Sequence, residues 1–158
     1  MPAISAYLQP VAHSLLQCRE EVLATLSSLT ETQIWSRPAE AASVGFHVRH
    51  AIGSLDRLFT YARGEQLSKS QLEQLASEAD SGTGPRTGED LTAAFDQMVE
   101  RALTQLRQTP DADLLGAREV GRARLPSTVL GLLMHSAEHT QRHVGQLVTT
   151  ARIVRALM

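Results

Sequence analysis

Three histidines stand four residues apart near the end of the chain, in the stretch MHSAEHTQRHVGQL (residues 134–147). In an α-helix, the spacing of His135, His139 and His143 stacks imidazoles one turn apart, as in helices that bind zinc. Neutral imidazole is a common ligand of divalent metals. The stretch therefore predicts either part of a metal site or a polar helix face whose histidines are solvated or hydrogen-bonded.

Helical geometry separates these three histidines. At about 100° per residue, His139 and His143 lie together at the margin of the apolar stripe of the predicted last helix. His135 lies further toward the polar side. Two imidazole nitrogens do not complete a metal site, because even open catalytic zinc sites use more protein ligands than that. A further ligand must come from another part of the chain.

A second helical segment, VGFHVRHAIGSLDRLFTYAR, supplies further histidines. A polar stripe begins at His50 and continues along one side of this helix through Ser54, Arg57 and Tyr61. His47 lies on the opposite margin, nearer the apolar side. Polar side chains beside a buried face need hydrogen-bond partners, water or a metal. His50 together with His139 and His143 gives three imidazoles with coordination positions left open, which is the pattern of catalytic zinc sites.

Four long amphipathic segments position these residues. Apolar side chains recur at helical spacing, which predicts long helices over about residues 6–29, 44–63, 89–108 and 128–156. Ser43, Thr87 and Ser127 are the predicted N-caps of the last three helices. Gly64 ends the second helix. The predicted fold is all-α, an antiparallel four-helix bundle in a single domain over residues 1–158, and such bundles build metal sites from facing helices.

The connections between the long helices carry shorter elements. TETQIWSRPAEAA is predicted to be a connection, SKSQLEQLASEA a short additional helix, and DSGTGPRTG the clearest loop. TPDADLLGAREVGRARLP is predicted to be irregular or a short hairpin. None of these connecting segments predicts a β-sheet larger than that short hairpin.

The overall composition excludes several classes of protein. The net charge is -2, from 15 basic and 17 acidic side chains, and aromatic residues make up 4%, which argues against nucleic-acid and anionic-membrane binding. The single cysteine, Cys18, allows neither an intrachain disulfide nor a thiolate metal cluster. The sequence shows neither signal-peptide features nor a window apolar enough for a membrane span. We therefore expect a cytoplasmic protein.

The chain resembles the DinB-like family of bacterial four-helix bundles in its two histidine segments. These are SVGFHVRHAIGSLDRLFTYARGE and, far downstream, AEHTQRHVGQL. That family is related to metal-dependent hydrolase-like proteins and thiol transferases. Its members commonly have a tryptophan before the second helix, a histidine within it, and a final helix with His–x3–His followed closely by Gly-Gln. The matching residues of this chain are Trp35, His50, His139, His143, Gly145 and Gln146.

The resemblance implies a metal site and its ligands. His50, His139 and His143 are then the ligands of a divalent metal ion, which is zinc, nickel or iron in this family. His47 and His135 are left as neighbours of the site. The resemblance covers nearly the whole chain in order and spacing, so it is more specific than the histidine spacing alone.

One departure from the family pattern bears on the reaction. Many relatives have paired histidines and an arginine directly before Gly-Gln, whereas this chain reads Arg142, His143, Val144. If that arginine helps to bind an acidic thiol cofactor in those relatives, its absence here weakens the thiol-transferase interpretation. Arg57 on the second helix is the candidate to replace it, although Arg57 and Tyr61 could instead form a hydrogen-bonding pair between helices.

Two classes of function follow from a site of this kind. The first is a metalloenzyme that activates water or a low-molecular-weight thiol against a small-molecule substrate. No carboxylate is clearly placed as a general base, so the catalytic residues stay unassigned. The second is a non-catalytic metal- or ligand-binding module or a dimeric interaction protein, and we expect a homodimer. The residues predicted to line the pocket are His47, Ser54, Arg57, Tyr61, His135 and Gln146.

Overall fold

Four long helices form the bundle in the computed structural model, which describes residues 4–158. They are α1 (Gln9–Leu26), α3 (Val44–Ala62), α5 (Gly88–Gln108) and α6 (Val129–Leu157). The connections contain α2 (Glu31–Trp35), α4 (Lys69–Ser77) and 3-10 turns at Pro38–Glu40 and Asp111–Asp113. Strands β1 (Ala117–Val120) and β2 (Leu125–Thr128) form an antiparallel hairpin before α6. The prediction of an all-α four-helix bundle is confirmed.

Two predicted helix starts are confirmed by their caps. The hydroxyl of Ser43 accepts a hydrogen bond from the N–H of Phe46 at 3.1 Å, at the beginning of α3. The hydroxyl of Thr87 accepts from the N–H of Asp90 at 3.1 Å, at the beginning of α5. Each cap satisfies a backbone donor that the first helical turn leaves without an intrahelical partner.

Other boundaries differ from the prediction. The N-cap of α6 is Thr128, which accepts from the N–H of Gly131 at 3.0 Å. The predicted cap, Ser127, is one residue too early, because its own hydroxyl donates to the carbonyl of Thr128 at 3.4 Å and the first turn of α6 donates to the Thr128 hydroxyl instead. α1 is shorter than predicted at both ends, and the connection after it forms the short helix α2. A reciprocal capping box between Thr30 and Gln33 starts that helix.

The helices that carry the histidines, α3 and α6, pack against each other in opposite directions. His47 on α3 lies opposite His143 on α6, and His50 lies opposite His139. α1 and α5 form the other antiparallel pair of the bundle, with α1 also packed on α6. Buried leucine, valine and phenylalanine side chains fill the space between the four helices.

α3 and α5 run in the same direction. Near the beginning of α3, the guanidinium of Arg49 donates to the carbonyl of Pro85 at 3.0 Å, just before α5 begins. Near the end of α3, the carbonyl of Phe59 accepts from the side chain of Gln105 at 3.0 Å, near the end of α5. The chain must therefore travel back along the bundle between these helices. Residues 63–87, which we call the connector, make this return and contain α4.

Trp35, at the end of α2, fixes the beginning of α3 and the end of the connector. A Cβ atom on Gly45 would lie 2.6 Å from carbons of the indole, so only glycine allows this approach. The indole N–H donates to the carbonyl of Arg86 at 3.0 Å. The guanidinium of Arg49 stacks on the ring, 4.5 Å from its centroid.

In the part of the chain that the structure describes, no helix combines the length and the apolar character that crossing a membrane requires.

Candidate metal centre

Histidines from α3 and α6 meet at the edge of the bundle core. One ring nitrogen from each of His50, His139 and His143 lies within 4.8 Å of the other two. The Nε2 atoms of His50 and His139 are 3.1 Å apart, and the ring centroids of His50 and His143 are 4.4 Å apart. All three side chains are half-buried, so the cluster is open to solvent on one side. The antiparallel packing of α3 and α6 thus brings together the three histidines expected to bind a metal.

The spacing of these nitrogen atoms fits a shared metal ion. Imidazole binds zinc at about 2.0–2.1 Å, which places neighbouring ligand nitrogens about 2.9–3.4 Å apart. The distance of 3.1 Å between the Nε2 atoms of His50 and His139 lies in this range. Two nitrogen lone pairs this close repel unless a proton or a cation lies between them. A set of three imidazoles suits zinc, nickel or iron.

Two of the imidazoles, His139 and His143, are held in the neutral form by their surroundings. Burial lowers the pKa of His143 from 6.5 to about 4, and the neighbouring His50 and His139 contribute to this decrease. Burial likewise lowers the pKa of His139, with His50 as the next cause. Near neutral pH both imidazoles are therefore unprotonated, which is the form that binds metals.

His47 lies behind His143. Its side chain is buried, and its Nδ1 is 3.1 Å from the Nδ1 of His143, so one imidazole donates an N–H to the other. Burial, and then the charge of His50, lowers the pKa of His47. When Nε2 of His143 binds an ion, its Nδ1 carries the proton and His47 is the acceptor. His47 is thus placed to orient the His143 ring.

Glu78, from the connector, lies behind His50. Its Oε2 accepts a hydrogen bond from Nδ1 of His50 at 2.7 Å, and its Oε1 accepts one from Arg57 at 2.7 Å. The Glu78 side chain is 4% exposed, so the carboxylate is largely removed from water. A carboxylate at Nδ1 favours the tautomer with the proton on Nδ1 and the lone pair on Nε2. In His50 that lone pair faces His139.

Phe46 forms an apolar wall beside the histidines. Its ring is nearly parallel to that of His50, with centroids 5.5 Å apart and planes inclined by 13°. It meets His47 edge-on, with centroids 5.6 Å apart. These contacts restrict the rotation of both imidazoles, and the Phe46 ring itself is half-buried.

The other predicted pocket residues lie apart from the cluster or at its outer edge. Ser54 is buried and donates to the carbonyl of Ala51 at 3.2 Å, within α3 itself. Tyr61 lies near the end of α3, in a surface cleft beside the β1–β2 hairpin. Gln146 is exposed on α6. His135 is also exposed, with its ring centroid 5.7 Å from that of His139.

The arginines near the site have partners within the chain. Arg57, the predicted anion contact, is buried and pairs with Glu78. Arg142 lies on the exposed side of α6 and pairs with Glu138, one turn earlier. Arg57 therefore contacts the histidine cluster only through Glu78, and its guanidinium is engaged within the protein.

Two residues of the site lie outside the sequence prediction. Glu78 follows α4, and its place beside His50 depends on the return path of the connector, for which the sequence has no local pattern. Phe46 precedes His50 by four residues, which is one helical turn. That spacing places an aromatic ring next to His50 on the helix, so the contact of Phe46 with His50 could have been predicted from the sequence.

Comparisons with known proteins agree with this architecture. The family model of the DinB superfamily matches residues 14–147. A conserved protein from Enterococcus faecalis has a similar solved structure, with a TM-score of 0.72, 20% identity, and coverage of 94% of this chain and 97% of that chain. A DinB-like protein from Bacillus cereus has a TM-score of 0.66 and 15% identity, with coverage of 92% and 91%.

At these identities the similarity to the solved structures shows the fold alone. No curated protein matches the chain. The family model spans most of the residues, from within α1 to within α6, and includes every histidine of the cluster. The chain belongs to the DinB superfamily.

Proposed function

We propose that the chain binds one divalent transition-metal ion through His50, His139 and His143. The meeting of three imidazoles from two helices, with one nitrogen of each within 4.8 Å of the others, carries the proposal. The outer hydrogen bonds support it, because His50 is bonded to Glu78 and His143 to His47. Histidines that bind metals typically use their second ring nitrogen in this way.

The proposed site is suited to Lewis-acid chemistry. A divalent ion held by neutral imidazoles lowers the pKa of a coordinated water or thiol, for zinc-bound water to about 7. The chain's own residues prepare that site: Glu78 and Arg57 hold His50 in one orientation, and Phe46 keeps one side apolar. Our proposal is that the protein activates water or a low-molecular-weight thiol against a small electrophilic substrate.

A non-catalytic metal-binding role is the second candidate. It is favoured by the pairing of the nearby carboxylates, because Glu78 is bonded to His50 and Arg57, and Glu138 is bonded to Arg142. Neither carboxylate is then free to act as a general base. In this case the ion joins α3 to α6 and stabilises the bundle, since a ligand that binds only the folded state raises its stability.

Metal analysis tests the binding proposal. Protein purified without a nickel column should contain, or take up, a stoichiometric divalent ion. His50→Ala and His143→Ala should lose this ion. His135→Ala is the matched control and should keep it, because the His135 side chain is 54% exposed. Wild-type protein that binds neither Zn²⁺ nor Ni²⁺ would contradict the proposal.

Turnover distinguishes the two candidate functions. Metal-loaded protein is assayed with activated esters and with a thiol plus an electrophile. Turnover that is lost in His143→Ala supports the enzyme. Stoichiometric metal and raised thermal stability without turnover of either substrate class support the binding module.

A further inference from the structure

We propose that Glu78 is a positioning residue that orients His50 for metal binding and couples the connector to metal occupancy. This inference rests on the proposed metal-binding function and extends it to a residue outside the ligand set. It follows from three observations: the hydrogen bonds of the Glu78 carboxylate, the space that Gly53 leaves for it, and the way in which the connector is attached to α3.

The Glu78 carboxylate uses both oxygens within the protein. Oε2 accepts from His50 at 2.7 Å and Oε1 accepts from Arg57 at 2.7 Å. Because Arg57 is itself buried, the carboxylate is fixed from the side opposite to the imidazole. The His50 ring can then rotate little, and its Nε2 lone pair stays directed at the position where the ligand nitrogens converge.

Gly53 leaves the space that the Glu78 carboxylate occupies. A Cβ atom at Gly53 would overlap Oε1 of Glu78 and lie 2.6 Å from the guanidinium of Arg57. Glycine in a helix interior costs about 0.5–1 kcal/mol relative to alanine. The helix thus carries a locally unfavourable residue at the point where the carboxylate and the guanidinium meet.

The connector is attached to α3 by polar contacts along its length. At its beginning, Gln71 donates to the carboxylate of Asp56 at 2.6 Å. At its end, Arg49 donates to the carbonyl of Pro85 at 3.0 Å and to two further connector carbonyls. All residues of α4 are exposed or half-buried. Glu78 lies between these two attachments and is the buried contact that joins the connector to a proposed ligand.

Because Glu78 contacts both the connector and His50, metal binding and docking of the connector on α3 are thermodynamically coupled. A docked Glu78 strengthens the metal site by orienting His50. By linkage, an ion on His50 strengthens the docking of Glu78 by the same factor. A segment held mainly by polar contacts opens more easily than a core helix, so this coupling is measurable by amide hydrogen exchange.

The test compares Zn²⁺ affinity in three variants. Removal of an outer partner of a metal-bound histidine typically lowers affinity about 10–100-fold. Glu78→Ala should show a loss in this range, and Glu78→Gln, which keeps the shape but removes the charge, a smaller one. Glu73→Ala is the matched control on α4 and should bind as wild type, because Glu73 is 65% exposed and pairs with Lys69 on the same helix.

The nitrogen chemical shifts of the His50 imidazole in the metal-free protein test the positioning role of Glu78 directly. In wild-type protein, the imidazole nitrogen shifts of His50 should show the tautomer with the proton on Nδ1, and in Glu78→Ala this preference should be lost. In hydrogen exchange, Zn²⁺ should slow the amides of the connector in wild-type protein but not in Glu78→Ala.

The outcomes separate this inference from the metal proposal. Wild-type protein that does not bind Zn²⁺ overturns the metal proposal, and the inference with it. Zn²⁺ bound by Glu78→Gln within about twofold of wild type, where this variant is expected to lose affinity severalfold, overturns the inference alone. That comparison decides the matter even where Glu78→Ala does not fold, because glutamine keeps the buried shape.

Discussion

Gly53 and Glu78 are in direct contact, and this contact decides where the Glu78 carboxylate can lie. A Cβ atom on Gly53 would overlap Oε1 of Glu78 and approach the guanidinium of Arg57 to 2.6 Å. Both conflicting atoms are the ends of flexible side chains, so α3 itself can accept an alanine while the two side chains move away from their present positions.

The Gly53→Ala variant is therefore expected to remain folded and to bind metal more weakly. Its displaced carboxylate no longer orients His50, and we expect a loss of about tenfold in Zn²⁺ affinity. Isothermal titration calorimetry with Zn²⁺ measures this loss, and circular dichroism checks the fold.

Gly145→Ala is the matched control, because a Cβ there meets no atom within 4 Å. Gly145 is an exposed residue in the interior of α6, so alanine should raise the free energy of unfolding by about 0.5–1 kcal/mol and leave metal binding unchanged. Equal Zn²⁺ affinity in Gly53→Ala and Gly145→Ala would contradict the role assigned to Gly53.

His47→Ala should weaken metal binding through His143. The Nδ1 atoms of His47 and His143 are 3.1 Å apart, so truncation removes the hydrogen-bond partner of a proposed ligand. We expect the Zn²⁺ affinity to fall about 10-fold or more. The visible absorption spectrum of the Co²⁺-loaded protein should also change, since the imidazole is less constrained. His135→Ala serves as the control, and the same affinity in both variants would show that His47 is only a packing residue.

The sequence predicted the parts of the fold and site that depend on one helix at a time. Apolar periodicity located the four long helices, and the four-residue spacing placed His139 and His143 on one face of α6. Residues on the same face of a helix can, however, lie too far apart along it to belong to one site. Tyr61 continues the stripe of His50, but it lies about 16 Å further along the helix at 1.5 Å per residue. The position of Arg57 on this stripe likewise did not show that its partner is Glu78.

The contribution of the connector depends on contacts between distant segments. α3 and α5 run in the same direction, and this requires residues 63–87 to pass back along α3 and deliver Glu78 to His50. Helix directions follow from the packing of the whole bundle, which local periodicity does not encode. The sequence therefore could not predict the buried carboxylate, whereas it did predict the three clustered histidines.

The metal-free protein should lose stability as the pH falls from about 6.5 to about 4. Burial, then His50, His139, His47 and Arg142, lower the pKa of His143 from 6.5 to about 4. Below the pKa of the unfolded chain, the unfolded state takes up a proton that the folded state does not, so the free energy of unfolding decreases. Below about pH 4 His143 is protonated in the folded state as well, so it causes no further decrease in the free energy of unfolding.

Urea unfolding of metal-free wild type and His143→Gln across this pH range measures the effect. The wild-type free energy of unfolding should fall more steeply than that of His143→Gln between these two pKa values. Parallel curves would show that His143 does not titrate differently in the folded and unfolded states.

Arg49→Lys should loosen the connector without breaking the bundle. The Arg49 guanidinium stacks on Trp35 at 4.5 Å from the ring centroid and donates to the carbonyl of Pro85 at 3.0 Å. A lysine ammonium lacks the planar fork needed for these simultaneous contacts. We expect a decrease of about 1–3 kcal/mol in the free energy of unfolding, since the connector carbonyls lose hydrogen bonds from a charged donor.

The fluorescence of Trp35 reports on the Arg49→Lys variant, because the chain has a single tryptophan. The emission should shift as the guanidinium leaves the ring, and connector amides should exchange faster. Arg86→Lys is the control, since the Arg86 side chain is 50% exposed and its pair with Glu31 contributes little. Connector exchange that is equally slow in Arg49→Lys and Arg86→Lys would mean that Arg49 does not hold this segment on α3.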